Sequence, residues 1–183
     1  MNRSIYIRNV VFGVEDSLVS TVGLLSGIDI GRVPNSTILF TGIVFIAVEA
    51  FSMAVGSFLS EESVEEYEVK AVPAVSPVGR QGRQENSAAK TSKIGVTSAI
   101  GGLIMFGSFV VAGFIPLLPY LLSSGSASLV ASIVISLVAL GILGYASAKV
   151  SKIAPWKRTF RMVILGGSAI LIGAIVSFFI RGI

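Results

Sequence analysis

The chain has 183 residues, of which 53% are hydrophobic and only 13% are charged, and its mean hydropathy is +0.87. A soluble domain of this length does not need so many apolar residues, so the composition indicates an integral membrane protein embedded in a lipid bilayer. The 14 Lys and Arg residues outnumber the 10 Asp and Glu residues. They fall in short clusters between apolar runs, which is the pattern of membrane topology and excludes a nucleic-acid-binding surface.

Cysteine and histidine are both absent from the chain. Their absence excludes disulfides, thiolate or imidazole metal sites, and nucleophilic catalysis by Cys or by a Ser-His pair. Any chemistry must therefore use carboxylates, hydroxyls, methionine or the backbone. No nucleophile or cofactor motif accompanies the acids in the apolar runs, so we expect neither an enzyme nor a bound cofactor.

Windows of about 20 apolar residues, the length that crosses a bilayer, predict an all-α, polytopic membrane protein with five transmembrane helices in one domain. The first window begins like a signal sequence, but Glu15 and Asp16 interrupt its apolar region, so it is counted as a span. The predicted spans cover residues 10–28, 38–59, 94–117, 126–148 and 160–180.

Basic residues predict the orientation of these spans. They cluster before span one, between spans two and three, and between spans four and five, whereas only Arg32 and Arg181 fall on the other side. Because basic residues are enriched in cytoplasmic loops, this asymmetry predicts a cytoplasmic N-terminus and an external C-terminus.

Small and polar residues recur at steps of three and four along one face of each of the first two spans. They are Gly13, Asp16, Ser20, Gly23 and Gly27 in span one, and Glu49, Ser52, Met53 and Gly56 in span two. Small side chains allow helices to pack closely in lipid. With a rise of about 1.5 Å per residue, Asp16 and Met53 have similar predicted depths, and Glu49 lies one turn deeper.

A carboxylate at such a depth costs about 2.5 to 3.5 kcal/mol on insertion scales, and this cost suggests a function. Asp16 and Glu49 therefore predict a path for a cation, with Glu15 as a neighbour that can carry a proton. Two alternatives remain open. The acids can hold helices together in a membrane scaffold that transports nothing, or they can serve a small organic cation, although spans one and two lack the Trp and Tyr of an aromatic cage.

Carboxylate oxygens suit Mn²⁺ and Fe²⁺, and a methionine sulfur favours Fe²⁺ over Mg²⁺ or Ca²⁺. Met53 thus predicts a divalent transition metal as the transported substrate, although a membrane methionine can equally be packing material. Desolvated acids also bind protons and can exchange them for a metal ion. The expected mechanism is antiport of metal against protons.

The predicted cytoplasmic segment 61–93 has two parts. The stretch EESVEEYEVKA can continue span two as a helix, and its acids, including Glu62, Glu65 and Glu66, can form either a funnel for cations or an ordinary solvated helix end. The remainder, rich in Pro, Gly, Ser and Gln, predicts a flexible linker. In span three, Pro116 and Pro119 are expected to end or kink the helix near its external end.

Three stretches in the first three spans, FGVEDSLVSTVGLLSG, EAFSMAVGSFLS and GSFVVAGFIPLLPYLL, together resemble the vacuolar iron transporter family of Fe²⁺ and Mn²⁺ carriers. The resemblance covers nearly the whole chain. It implies a five-helix homodimer with a metal path between the subunits and exchange of metal against protons. By this likeness Asp16 and Met53 match the family's transmembrane metal residues, and Glu49 matches an acid of its prokaryotic-looking members.

The chain also departs from that family's pattern. Ser17 replaces the usual Gly after the span-one Asp, and Ser57 stands where many members have Glu. Longer members carry a cytoplasmic metal-binding domain between spans two and three, of which only the first acidic turn, with Glu62, Glu65 and Glu66, remains. We expect export of Fe²⁺ or Mn²⁺ from the cytoplasm across a prokaryotic plasma membrane.

Overall fold

The computed structural model describes residues 3–71, 80–123 and 125–181, and within these ranges it contains helices and no strand. Each of its five helices contains a stretch long and apolar enough to cross a membrane. The prediction of an all-α protein with five membrane-spanning helices is therefore confirmed, while the orientation in the membrane remains a prediction. The helices are α1 Arg3–Ile30, α2 Asn35–Ala71, α3 Arg80–Leu122, α4 Ser126–Val150 and α5 Pro155–Arg181.

Short connections force consecutive helices to run antiparallel. Residues 31–34 join α1 to α2, and residues 151–154 join α4 to α5. Each connection reverses the chain through one residue in the left-handed region, Arg32 with φ 58° and Lys152 with φ 54°. Pro155 begins α5, where a missing N–H costs nothing because the first N–H groups of a helix have no partner within it.

Helix α1 contacts each of the other four helices, so the bundle is built around it. One buried apolar cluster, which includes Leu25, Ile46 and Phe109, joins α1 to α2 and α3. A second cluster, formed by Leu18, Ala112 and Leu140, joins α1 to α3 and α4. Many other large apolar side chains are exposed on the outside of the bundle, as expected for a surface that lipid covers.

Glycines allow α1 and α5 to approach closely. A Cβ atom added to Gly27 would lie 3.0 Å from the carbonyl oxygen of Gly173, and one added to Gly23 would lie 3.1 Å from the carbonyl oxygen of Ala169. Such contacts are typical of membrane helices that associate through small residues. Gly167 is on a different face of α5, and a Cβ atom added to it would have no atom of a neighbouring helix within 4 Å.

The two prolines of α3 do not end the helix, because α3 continues to Leu122. Polar side chains of neighbouring helices donate hydrogen bonds to backbone carbonyl groups around these prolines. The hydroxyl of Ser132 on α4 donates to the carbonyl oxygen of Pro116 at 2.6 Å, and the amide of Asn35 on α2 donates to the carbonyl oxygen of Tyr120 at 3.1 Å. Proline is tolerated inside membrane helices when such partners are available. Of the two predicted effects, a helix end at Pro116 or Pro119 is not found, and a kink there remains a prediction.

The segment after span two is also more helical than predicted. Helix α2 continues to Ala71, as the sequence allowed. The flexible linker predicted for the remainder of 61–93 was wrong over residues 80–93, because α3 begins at Arg80. The prolines of this segment, Pro73 and Pro77, both precede that point, and the residues beyond include several good helix formers. Residues 72–79 lie outside the described ranges.

The close α1–α5 contact predicts the effect of a larger side chain. Gly27→Leu should lower the free energy of unfolding by about 1 to 3 kcal/mol, because the added atoms must displace the backbone of α5. Gly167→Leu is the matched control on α5 and should leave stability unchanged or raise it, since leucine favours helices more than glycine does. The measurement is denaturant-induced unfolding in mild detergent; equal effects of the two variants would contradict this packing.

Candidate cation path

Asp16 on α1 and Glu49 on α2 are half-buried and lie near enough for their negative charges to interact. The next residue, Ser17, fixes the rotation of α1. It is fully buried, and its hydroxyl donates a hydrogen bond of 2.7 Å to the carbonyl oxygen of Phe109 on α3. Adjacent helical residues differ in direction by about 100°, so Ser17 can contact α3 while Asp16 lies on the side of Glu49.

A cleft of about 570 Å³ lies between α1, α2 and α3 toward the N-terminal end of α1. Met53, one turn along α2 from Glu49, is half-buried in its wall, and Met105 of α3 is 4% exposed there. Gly13 allows this approach, because Met105 Sδ would lie 3.2 Å from a Cβ at that position. The lining residues are Arg8, Asn9, Phe12, Ser52, Met53, Gly56, Ser57, Ser60 and Met105.

The predicted path residues therefore fall into two groups. Asp16 and Glu49 form a pair of carboxylates, and Met53 belongs to a neighbouring cleft that offers thioethers, hydroxyls and an amide. Among the residues that the structure describes, no group of three or more His, Cys, Asp or Glu side chains could hold a metal ion. Within the described residues of this single chain, the predicted site therefore contains two carboxylates, and its binding of metal remains a prediction.

Glu61 is a buried carboxylate that sequence reasoning assigned to the acidic run at the end of α2. Its side chain is 7% exposed, and Oε1 accepts a hydrogen bond of 2.7 Å from Asn9 Nδ2. Ser57 and Arg8 each donate to the same oxygen at 3.4 Å. Asn9 Nδ2 also donates to the carbonyl oxygen of Gly101 at 3.2 Å, so this group of side chains joins α1, α2 and α3.

The other oxygen of Glu61, Oε2, is buried and has no hydrogen-bond partner among the described residues. It lies against Gly101, where any side chain would overlap it. A signal for this inward position was present in the sequence: Glu49, Met53, Ser57 and Glu61 follow one another at steps of four, which places them on one helix face. The local density of acids at 61–68 obscured that periodicity.

Glu15 lies on a different side of α1 from the cleft. It lines two cavities that also contain Arg158, and its charge interacts with those of Arg158 and Arg161 on α5. Asp16 also lies within electrostatic reach of it. The charge of Glu15 therefore interacts with that of Asp16, but it interacts more strongly with those of the two α5 arginines.

The remaining predicted site residues belong to the end of α2. Glu62 is half-buried, whereas the side chains of Glu65 and Glu66 lie outside the described residues. The acidic funnel thus stays a prediction.

A second polar contact lies at the opposite end of the bundle. Tyr120 of α3 is 1% exposed, and its hydroxyl donates to Asp29 Oδ2 at 3.0 Å. Asn35 binds the carbonyl oxygen of the same tyrosine. Helices α1, α2 and α3 are consequently tied together by polar groups at both ends, with the carboxylate pair between them.

Five apolar helices with paired acids inside the bundle define an integral membrane protein of the transporter class. A sequence pattern of the VIT family matches residues 7–85 and 78–177, and the chain belongs to this family. It is 28% identical to vacuolar iron transporter 1 of Arabidopsis thaliana, over 89% of this chain and 81% of that protein. Similar matches are vacuolar iron transporter 1 of Oryza sativa subsp. japonica, at 26% identity over 89% and 81%, and vacuolar iron transporter homolog 4 of Arabidopsis thaliana, at 28% over 90% and 78%.

The Glu61 contacts predict strong coupling between two substitutions. Asn9→Leu should destabilise the protein by about 1 to 3 kcal/mol, because it removes the shortest hydrogen bond of a buried carboxylate. Adding Glu61→Leu should restore part of that loss, since replacing both partners by apolar groups removes the desolvated charge as well. Unfolding of the single and double variants in detergent checks this; additive losses would contradict the coupling.

Proposed function

We propose that this protein transports a divalent transition metal, Fe²⁺ or Mn²⁺, out of the cytoplasm in exchange for protons. The observation that supports this most is the pair of half-buried carboxylates, Asp16 and Glu49, on adjacent helices inside an apolar bundle. Two negative charges near each other in a medium of low dielectric constant attract a cation or a proton strongly. Membership of the VIT family and the names of its relatives as iron transporters support metal as the cargo.

The choice of metal rests on the chemistry of the donors. Carboxylate oxygens suit Mn²⁺ and Fe²⁺, and the thioether of Met53, one turn from Glu49, adds a softer ligand that favours Fe²⁺ over Mg²⁺ and Ca²⁺. In this proposal the metal is substrate and no cofactor takes part. Transport rather than catalysis is also the activity to which the family points.

Exchange against protons follows from the same two carboxylates. When no metal is bound, protons neutralise part of the negative charge and lower the cost of keeping the acids in the membrane. A divalent cation that arrives from the cytoplasm displaces those protons into the cytoplasm, and protons from the external side later displace the metal outward, so metal and protons move in opposite directions.

A homodimer completes this proposal. One chain offers two carboxylates and a neighbouring cleft, and the described residues hold no larger group of acids. A second copy facing α1 and α2 supplies a second set of the same donors around a shared path. The large exposed apolar side chains of α2, such as Phe40 and Phe51, are available for that contact.

The predicted orientation assigns the direction of transport. With the N-terminus in the cytoplasm, the cleft of Met53 and Met105 opens toward the cytoplasmic side, and Glu61 lies next to it, hydrogen-bonded to the lining residues Arg8, Asn9 and Ser57. We place the protein in a prokaryotic plasma membrane. Metal then moves from the cleft past Glu49 and Asp16 to the external side.

Substitution of the acids tests the path directly. Asp16→Asn and Glu49→Gln should each reduce Fe²⁺ uptake into proteoliposomes at least about tenfold, because a neutral amide cannot balance the charge of the ion. Asp29→Asn is the matched control: it removes a carboxylate at the far end of the bundle but keeps an acceptor for Tyr120. Uptake at the wild-type level in the first two variants would instead favour a scaffold in which the acids only bind helices together.

The pH gradient provides an independent test. We expect Fe²⁺ and Mn²⁺ uptake into proteoliposomes to rise when the lumen is made more acidic than the outside, because outward proton flow then drives metal inward. Ca²⁺, which lacks affinity for the thioether, should be taken up less. Metal uptake that does not respond to the gradient would remove antiport and leave facilitated transport.

A further inference from the structure

Two adjacent cavities lie where the start of α1 meets the end of α4 and the start of α5. Their volumes are about 530 and 380 Å³, and both are lined by Glu15 and Arg158. Arg8 lines the first cavity, and Lys157 and Arg161 line the second. We call this region the basic pocket; Arg8 and Phe12 line both its first cavity and the cleft of Met53 and Met105, and its other lining residues lie outside that cleft.

The charge of the basic pocket is not balanced within the described residues. Four basic side chains line it, against the one carboxylate of Glu15. That carboxylate interacts with Arg158 and Arg161, while Arg8 contacts Glu61 at 3.4 Å and is still 66% exposed. Arg158 itself is partly buried between the two cavities. An anionic ligand would complement the excess positive charge, and arginine binds phosphate well because its donors match phosphate oxygens.

The surroundings of the pocket match the boundary between lipid and water. Trp156, two residues before Arg158 on α5, is 85% exposed, and Tyr145 on α4 is 51% exposed; both residue types concentrate at that boundary. Lys149 lies over the Tyr145 ring at 5.4 Å, and Ile153 is 52% exposed. A ligand bound here would therefore have its charged group among the basic residues and the hydrocarbon of the membrane beside it.

The first cavity also has an apolar wall. It is formed by residues of α1 and α4, and Ser147 and Ser151 also line this cavity. An apolar wall does not stabilise a free phosphate ion, whereas an acyl chain gains free energy by covering the wall with hydrocarbon. The apolar lining residues are Ile7, Val11, Phe12 and Val150.

We infer that the basic pocket binds the headgroup of an anionic phospholipid, with the phosphate at Arg158 and an acyl chain along the apolar wall of the first cavity. Basic pockets between membrane helices are suited to anionic headgroups on the cytoplasmic side, which is the side that the orientation prediction assigns to this end. The inference does not depend on which ion the protein transports. It also gives Glu15 a role, since its negative charge interacts with the positive charges of Arg158 and Arg161 at the site.

The chain contains its own probe for this lipid, because Trp156 is its only tryptophan. The protein is reconstituted into bilayers of phosphatidylcholine mixed with phosphatidylglycerol, and one of the two lipids carries bromine atoms that quench tryptophan fluorescence on contact. Comparing the quenching by brominated phosphatidylglycerol and brominated phosphatidylcholine yields the relative binding constant of the anionic lipid next to Trp156.

Three variants, each of which removes one positive charge, test whether binding of the anionic lipid depends on the basic pocket. Arg158→Gln should lower the relative binding constant about fivefold, the size expected for one basic residue near an anionic membrane surface. Lys152→Gln removes a charge from the same end but lines neither cavity, and Arg32→Gln removes one from the opposite end. Both controls should change the constant less than about twofold, since exposed charges are screened by salt.

Arg161→Gln is a second variant for the same readout and covers the case in which Arg158→Gln does not fold. Equal quenching by the two brominated lipids in the wild type would overturn the inference. Equal losses in Arg158→Gln and Lys152→Gln would also overturn it, because they would indicate diffuse attraction and no site. Loss of the preference on adding inorganic phosphate would identify a site for the free ion and would contradict a lipid headgroup.

Discussion

The structure depends on how polar groups of the first three helices are satisfied inside an apolar bundle. Without water, a carboxyl, hydroxyl or amide must find its partner on a neighbouring helix or carry a large desolvation cost. Ser17 binds the backbone of α3, Glu61 binds Asn9 of α1, and Asp29 binds Tyr120 of α3. These three contacts at different depths determine how α1 is placed against its neighbours, and thereby on which side Asp16 lies.

Two acids that are adjacent in sequence consequently have different surroundings. Asp16 lies with Glu49 on the side of α2, whereas the charge of Glu15 interacts most strongly with arginines of α5. A helix turns by about 100° between successive residues, so a central helix can serve two separate sites. In our interpretation one side of α1 carries metal and protons, and the other holds the protein against anionic lipid.

The departures from the family resemblance have structural consequences. Ser17, where the resemblance leads one to expect glycine, provides the buried hydrogen bond to α3. Ser57, where many members have glutamate, belongs instead to the group of donors around Glu61, one turn further along α2. A buried carboxylate, Glu61, is thus present one turn beyond Ser57.

The sequence by itself determined the number of spans and the presence of acids within them, because both follow from residue counts over about 20 positions and need no knowledge of neighbours. The start of α3 was mispredicted, because the composition of the segment suggested a linker where the structure has a helix from Arg80. Whether a proline ends a helix depends on donors such as Ser132 from another helix, which the local sequence does not reveal. Only the tertiary structure separated Glu15 from Asp16, turned Glu61 inward and gathered the basic residues around Arg158. Each of these outcomes depends on the rotation of one helix against several others, and that rotation is set by long-range packing that no single segment encodes.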